Sequence, residues 1–338
     1  MTASSTSSRP DKSTTVRTSP CPAVVPPSVK ALAQRNAHRV RRRGASLLPS
    51  VRILREGMGL LSRVAPDGAA AIAERMFLTP HRRERPVAEA ELLAKARRTT
   101  LSTEHGELAA WELSARDTTD PAASAAPRVL LVHGWEGRGG QLGALAEALA
   151  ARGFSVVTFD APAHGDSPGK QSSLFHFADA VSSAVRAFGP FHAIVTHSMG
   201  GAATVWAMRN STLSTRVVLI APPVDMRDFT RNLSSVLGLP EEVRERVHRR
   251  IVARFGVPIE DVRAERVAAT MRGPLLVVHD QDDREVPIAC GEAIARAWPD
   301  AELLRTYGLG HQRILRDAKT REAILRFVAQ PLAAGVAP

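Results

Sequence analysis

Three residues spread over the second half of the chain are of the types that perform acyl chemistry together. Ser198 stands in THSMGG (196–201), between the apolar run FHAIV and the helix-forming stretch AATVWAMRN. A serine on a tight strand-to-helix turn has its hydroxyl raised above the sheet. The next amide and the helix N-terminus then face a developing negative charge. Gly200 and Gly201 suit such a crowded turn, but Thr196 occupies the position two before the serine, where glycine is usual. A bare S-x-G is a common loop pattern; the strand before it and the helix after it make Ser198 a nucleophile candidate.

A second loop follows RVLLVHG (128–134) as WEGRGG. Its backbone N–H groups stand above the strand end, so the amides of Trp135 and Met199 could bind the oxyanion of a tetrahedral intermediate. A phosphate cradle does not fit, because there is neither a Lys-Ser/Thr ending nor a G-x-G-x-x-G spacing. After PLLVVHD (274–280) comes the acidic loop Gln281 to Pro287, and after ELLRTY (302–307) come Gly308, Leu309, Gly310 and His311. A carboxylate after one late strand and a histidine after the next complete the order Ser…Asp…His. In such a triad the histidine takes the serine proton, and a buried acid fixes its tautomer and stabilises the imidazolium.

These loops need a scaffold, and the sequence between them supplies one. Short β-rich runs recur at 107–113, 128–134, 154–160, 191–197, 216–222, 274–280 and 302–307. Several are near-continuously apolar, which suits parallel strands covered on both faces. Helical stretches such as QLGALAEALAARG (141–153) and FADAVSSAVRAFG (177–189) separate them. This alternation predicts an α/β fold with a doubly wound sheet, whose active groups collect at the carboxyl ends of the strands. The interval 223–273 is rich in Arg and Glu and helical in pattern, hence a candidate lid. Its sparse aromatics, Phe229 and Phe255, hint against a large aromatic cavity.

Over residues 101–330 the chain resembles the α/β-hydrolase superfamily of serine esterases and lipases. The matching pieces are LLVHGWEG, FDAPAHGDSPG, THSMGG, VVHDQDDREVP and GLGHQRIL, all in the family's order. The resemblance implies an eight-stranded, mostly parallel sheet with helices on both faces and a small helical lid. It places Ser198 as nucleophile, Asp283 as acid and His311 as base, with the backbone of Trp135 and Met199 as oxyanion donors. The family spacing sets the acid four residues after a strand-ending histidine (here His279), which selects Asp283. Asp225 is the alternative, since some relatives carry the acid after the sixth strand. Ala163 and Asp280 stand where the family usually has glycine. His197 and the Trp135 side chain are expected at the substrate pocket, and His133, Asp160, His164 and Ser167 as groups that fix the loops.

The implied function is cleavage of an ester, thioester or related acyl bond in a small-molecule substrate, without metal or cofactor. Acyl transfer or C–C bond hydrolysis at the same site, and a binding protein without turnover, are the rival readings. Composition narrows the classes further. Among 338 residues, 44% are hydrophobic and 23% charged, enough for a sizeable core and ordinary for a globular chain. No run approaches 18 uninterrupted apolar residues, so no transmembrane segment is expected. The net charge of +11 suggests nucleic acid until it is located. Residues 1–100 hold 19 Lys+Arg against 7 Asp+Glu, and the remainder 26 against 27. The excess is thus confined to the first third, and no nucleic-acid partner is expected of the catalytic region.

Residues 1–45 read as a disordered basic tail, Ser, Thr and Pro at first and then Arg-rich. An organelle transit peptide has a similar composition, so both readings stay open. Residues 46–100 read as helices docking on the core, with apolar residues at Leu47, Val51, Leu54, Met58 and Leu61. Cys21 and Cys290 supply no metal spacing and no expected disulfide, which points to a reducing, cytoplasmic setting.

Overall fold

The computed structural model describes residues 49–115, 126–209 and 215–331. Eight strands form one sheet in the order β1-β2-β4-β3-β5-β6-β7-β8. They are β1 (Arg97–Thr103), β2 (Gly106–Leu113), β3 (Arg128–Val132), β4 (Ser155–Phe159), β5 (Ala193–His197), β6 (Arg216–Ile220), β7 (Leu275–Asp280) and β8 (Ala301–Thr306). β2 runs antiparallel to β1 and β4, and every other pairing is parallel.

Strand periodicity divides the apolar residues between two faces. Leu130 and Val132 join one core with α5 (Leu174–Phe188) and α6 (Met199–Met208). Val129 and Leu131 join the other with α4 (Gly143–Ala150) and α12 (Ala318–Ala329). The strand absent from the sequence reading is β1. Its residues RRTTLST bury only Leu101, as befits an edge strand with one face to solvent. The helix before it, α3 (Val87–Ala94), stops three residues short of the strand.

The insertion between β6 and β7 forms α7 (Met226–Leu237), α8 (Glu241–Phe255) and the short α9 (Ala264–Ala268). Gly238 and Gly256 end α7 and α8 with φ of 66° and 69°, a conformation that carries a Cβ penalty in other residues. The N-terminal helices, α1 (Pro49–Val64) and α2 (Pro66–Leu78), pack against this insertion. Met58, Ala69, Ala70 and Ala73 close on Leu233, Leu237, Val243, Val247 and Ile251. Ion pairs rim the contact: Glu74 with Arg250 at 2.6 Å and Asp67 with Arg246 at 2.6 Å.

Deleting residues 1–80 therefore uncovers five apolar side chains of α7 and α8. Each contributes about 1.5–3 kcal/mol when fully buried. The truncated chain is expected to lose solubility, measured as the soluble fraction on expression; a soluble, fully active 81–338 protein would refute the docking.

Two sequence expectations need adjustment here. Cys290, fully buried in α10 (Ile288–Ala297), is disulfide-bonded, contrary to the reading of two lone thiols. With Cys290 bonded, the cysteine count no longer argues for a reducing compartment. The basic tail, residues 1–45, lies outside the described residues. Among the described residues, no helix is long and apolar enough to cross a membrane.

Candidate active site

Parallel pairing brings the carboxyl ends of β3 and β5 side by side, with Val132 opposite Thr196. Ser198 follows β5 with φ 52° and ψ −122°, at the N-terminus of α6. Such a backbone costs a non-glycine residue about 1–3 kcal/mol and persists only where the surroundings enforce it. Enforcement is visible in the Ser198 amide, which donates to Ile220 O at 2.9 Å, and in the Ser198 carbonyl, which accepts from Gly201 N at 2.8 Å. Glycine is required next door: a Cβ on Gly200 would lie 2.5 Å from His133 O, and one on Gly134 2.9 Å from the Ser198 Cβ.

Strain of this kind is concentrated around the site. Glu136, Ala163, Ser198 and Ala221, each with φ between 50° and 63°, follow β3, β4, β5 and β6 respectively. The side chains expected to fix the loops do so. His133 Nδ1–H donates to Gly134 O at 2.7 Å, and its Nε2 accepts from Ala161 N at 3.0 Å. Burial holds this imidazole neutral, with a pKa of about 4. Asp160 accepts from the amides of Gly139 (2.5 Å) and Asp166 (2.7 Å), and Ser167 Oγ donates to Asp160 O at 2.5 Å.

Asp283 and His311 meet in the loops that follow β7 and β8. His311 Nδ1–H donates to Asp283 Oδ2 at 2.7 Å. Asp283 Oδ1 accepts from the amides of Glu285 (2.7 Å) and Val286 (3.0 Å), so both carboxylate oxygens are committed. Burial alone would raise the Asp283 pKa. The His279 imidazole 3.6 Å away, the His311 hydrogen bond and charge, and the Val286 amide outweigh it and hold the carboxyl well below the usual range. Because Asp283 takes up Nδ1–H, His311 Nε2 is left as the basic atom; it lies 3.7 Å from Glu285 Oε2. Asp225, the alternative acid, is engaged elsewhere: it caps α7 through Arg227 N at 2.9 Å and pairs with the Arg227 guanidinium at 2.6 Å.

Beside Trp135 and Met199 opens a cavity with an almost wholly apolar lining. Five aromatic rings line it, from Phe77, Trp135, Phe175, Phe229 and Phe255. They come from five separate segments, three of them outside the insertion. The Trp135 side chain lines the cavity. His197 is not among its lining residues. It is buried beneath His311, ring centroids 4.6 Å apart, and its Nε2–H donates to His311 O at 3.1 Å. Among the described residues, no group of three or more His, Cys, Asp or Glu side chains is placed to hold a metal ion.

Residues 129–323 match the sequence pattern of the Alpha/beta hydrolase family, more than half of the chain. The chain belongs to the alpha/beta hydrolase family. Within it, a stretch of 108 residues is 40% identical to the pimeloyl-[acyl-carrier protein] methyl ester esterase of Chromobacterium violaceum. That stretch is 31% of this chain and 41% of the relative, so the chain spans less than half of that protein's length. Solved structures show the same fold. An esterase of Pyrococcus furiosus superimposes with a TM-score of 0.52 at 19% identity, over 74% of this chain and 96% of its own. An esterase of Exiguobacterium antarcticum gives 0.53 at 14% identity, over 69% and 99%.

Against the hydrolase family's pattern, three departures now have physical accounts. Thr196 is buried, and its hydroxyl donates to Val218 O at 3.2 Å on the neighbouring strand. Ala163 adopts φ 63°, the conformation that explains the family's glycine there. Asp280 is a larger change, and it is fully buried. Its carboxylate accepts from Asp282 N (3.0 Å), the Thr306 hydroxyl (2.7 Å) and Leu309 N (3.1 Å), tying the acid loop to the loop that carries His311. An amide cannot accept on both sides, so Asp280→Asn leaves a buried donor unpaired at a cost of about 1–3 kcal/mol. We expect a lower Tm and a fall in kcat of about tenfold or more, since about 1.4 kcal/mol of lost positioning is a factor of ten. Unchanged kcat would show that the loop does not depend on this clasp.

The sequence reading passed over the run HRRERP (81–86) between α2 and α3. It crosses the mouth of the site as an extended strap. Arg82 donates to the carbonyls of Gly165 (2.7 Å) and Ser167 (2.6 Å), Arg83 pairs with Glu136 at 3.3 Å, and Arg85 with Asp160 at 3.1 Å. Three arginines flanked by Pro80 and Pro86 were the available signal.

Proposed function

We propose that this protein is a serine hydrolase that cleaves carboxylic esters of apolar acyl groups through an acyl-enzyme on Ser198. The observation that carries the reading is a strained Ser198 at a helix N-terminus together with a buried Asp283–His311 hydrogen bond of 2.7 Å, all in loops that follow parallel strands of one sheet. The Ser198 oxygen attacks the ester carbonyl while His311 Nε2 takes its proton, and the carbonyl oxygen gains the negative charge. The backbone N–H groups of Trp135 and Met199 are the donors for that charge. The imidazolium is stabilised by Asp283, and the Glu285 carboxylate lies close to the same ring. Collapse of the intermediate breaks the carbon–oxygen bond, and His311 returns the proton to the departing alcohol. Water then attacks the acyl-enzyme by the same route in reverse and frees the acid and Ser198.

The apolar cavity beside Met199 and Trp135 suits an uncharged acyl group, because a charge buried there would find no partner. The Chromobacterium violaceum relative is named for cleaving a methyl ester, and ester cleavage is the part of its activity we carry over. A fluorophosphonate probe tests the reading: it should label the folded protein stoichiometrically, and peptide mapping should place the label on Ser198. Absence of labelling, or labelling at another residue, would overturn the nucleophile.

A further inference from the structure

The cavity is not closed by the hydrolase domain alone. Helix α2, which lies ahead of the matched region, contributes Phe77 and Leu78 to its wall. Phe77 packs at once against the main core and against the cluster formed by the insertion, so it sits where the two meet. Leu78 is 2% exposed, and its carbonyl accepts from Ser172 N at 2.7 Å, just before α5.

Both flanks of this wall are held. On one side Glu74, one turn earlier in α2, is buried and pairs with Arg250 of α8. On the other, the strap at residues 79–86 is anchored by Arg82, Arg83 and Arg85 to the loops after β3 and β4. The phenyl ring is thus delivered by a segment that carries none of the catalytic groups itself. Changing its size should change the cavity and leave the catalytic groups where they are.

We propose that Phe77 is a specificity-determining residue: α2 supplies one wall of the acyl cavity, and the ring limits how long an uncharged aliphatic acyl chain the site accepts. This rests on the esterase reading above, in which the cavity receives the acyl group. The lining is almost wholly apolar, so the accepted chain carries no charge of its own.

The test uses the full chain with Phe77→Ala, Phe77→Leu and Phe77→Trp. Turnover is measured on p-nitrophenyl esters from acetate to dodecanoate. The expected result is an optimum displaced to longer chains in Phe77→Ala, less so in Phe77→Leu, and to shorter chains in Phe77→Trp. The ratio of kcat/KM for decanoate over butyrate should rise about tenfold or more in Phe77→Ala, since each methylene in an apolar pocket discriminates by about that factor. A second readout needs no chemistry: stabilisation of each variant, in a Ser198→Ala background, by linear alcohols of the same lengths. Should Phe77→Ala not fold, Phe77→Leu and Phe77→Trp still order the series. Superimposable profiles across folded variants, in turnover and in alcohol binding, would overturn the proposal. A protein that hydrolyses no ester yet shows a Phe77-dependent alcohol length removes the esterase reading and keeps this one.

Discussion

Replacing Ser198 by alanine should lower ester turnover by about 10⁶-fold, the loss that follows removal of a triad nucleophile. The Ser198 hydroxyl is the group raised by the φ 52° turn into the space before the α6 N-terminus. Alanine keeps the Cβ that lies against Gly134. The fold should therefore survive, and the Tm should match the parent or exceed it, since the strained turn no longer carries a polar side chain. Ester hydrolysis is read by product release under conditions that exclude contaminating esterase. Retention of even a tenth of the parental rate would falsify the acyl-enzyme mechanism.

The second large effect belongs to Asp283→Asn, and the geometry determines its direction. Asp283 Oδ1 accepts two amide hydrogens, from Glu285 and Val286. An asparagine keeps its single oxygen there, because turning its NH₂ toward two N–H donors is unfavourable. Its NH₂ must then face His311 Nδ1, where a carboxylate oxygen stood before. The imidazole is forced into the tautomer with hydrogen on Nε2 and cannot accept the serine proton. We expect kcat to fall by about 10⁴. Asp225→Asn, whose carboxylate caps α7 and pairs with Arg227, should stay within about tenfold, well short of the triad loss. Activity lost at Asp225 and kept at Asp283 would reassign the acid.

The depressed Asp283 pKa also has a consequence for stability. A carboxylate whose folded pKa lies below its unfolded value of about 3.9 contributes stability above that value. That contribution is lost as the pH falls through the folded pKa. The Tm advantage of the parent over Asp283→Asn should accordingly be greatest at neutral pH and shrink below about pH 4. An advantage that grows on acidification would contradict the assignment.

Much of the site was legible because its chemistry is local. A serine between an apolar strand and an Ala-rich helix, with glycines after it, determines its own turn; the backbone has few ways to make that reversal without clashing. The same holds for the Gly-rich loop after β3 and for the positions of Asp283 and His311 at the ends of successive strands. Parallel strands place their carboxyl ends together, so order along the chain already implies proximity in space. Loop-fixing residues such as His133 and Asp160 were readable for the same reason, since they bond within or next to their own loops.

What only the tertiary structure decided is everything assembled across distance in sequence. β1 escaped notice because an edge strand with one buried residue has no periodic signal, and pairing with β2 alone makes it a strand. Asp280 reads as one more acid in a charged loop until β8 and its following turn fold against it and bury it. His197 adjoins the nucleophile in sequence, yet strand alternation and the packing of His311 send it beneath the site and away from the cavity. The cavity itself unites Phe77, Trp135, Phe175, Phe229 and Phe255, residues with no common pattern and long intervals between them. Strand order and turn chemistry are set by short-range backbone preferences that a sequence displays directly. A binding cavity depends on how helices settle against one another, and that choice is made by the summed burial of side chains from every part of the chain.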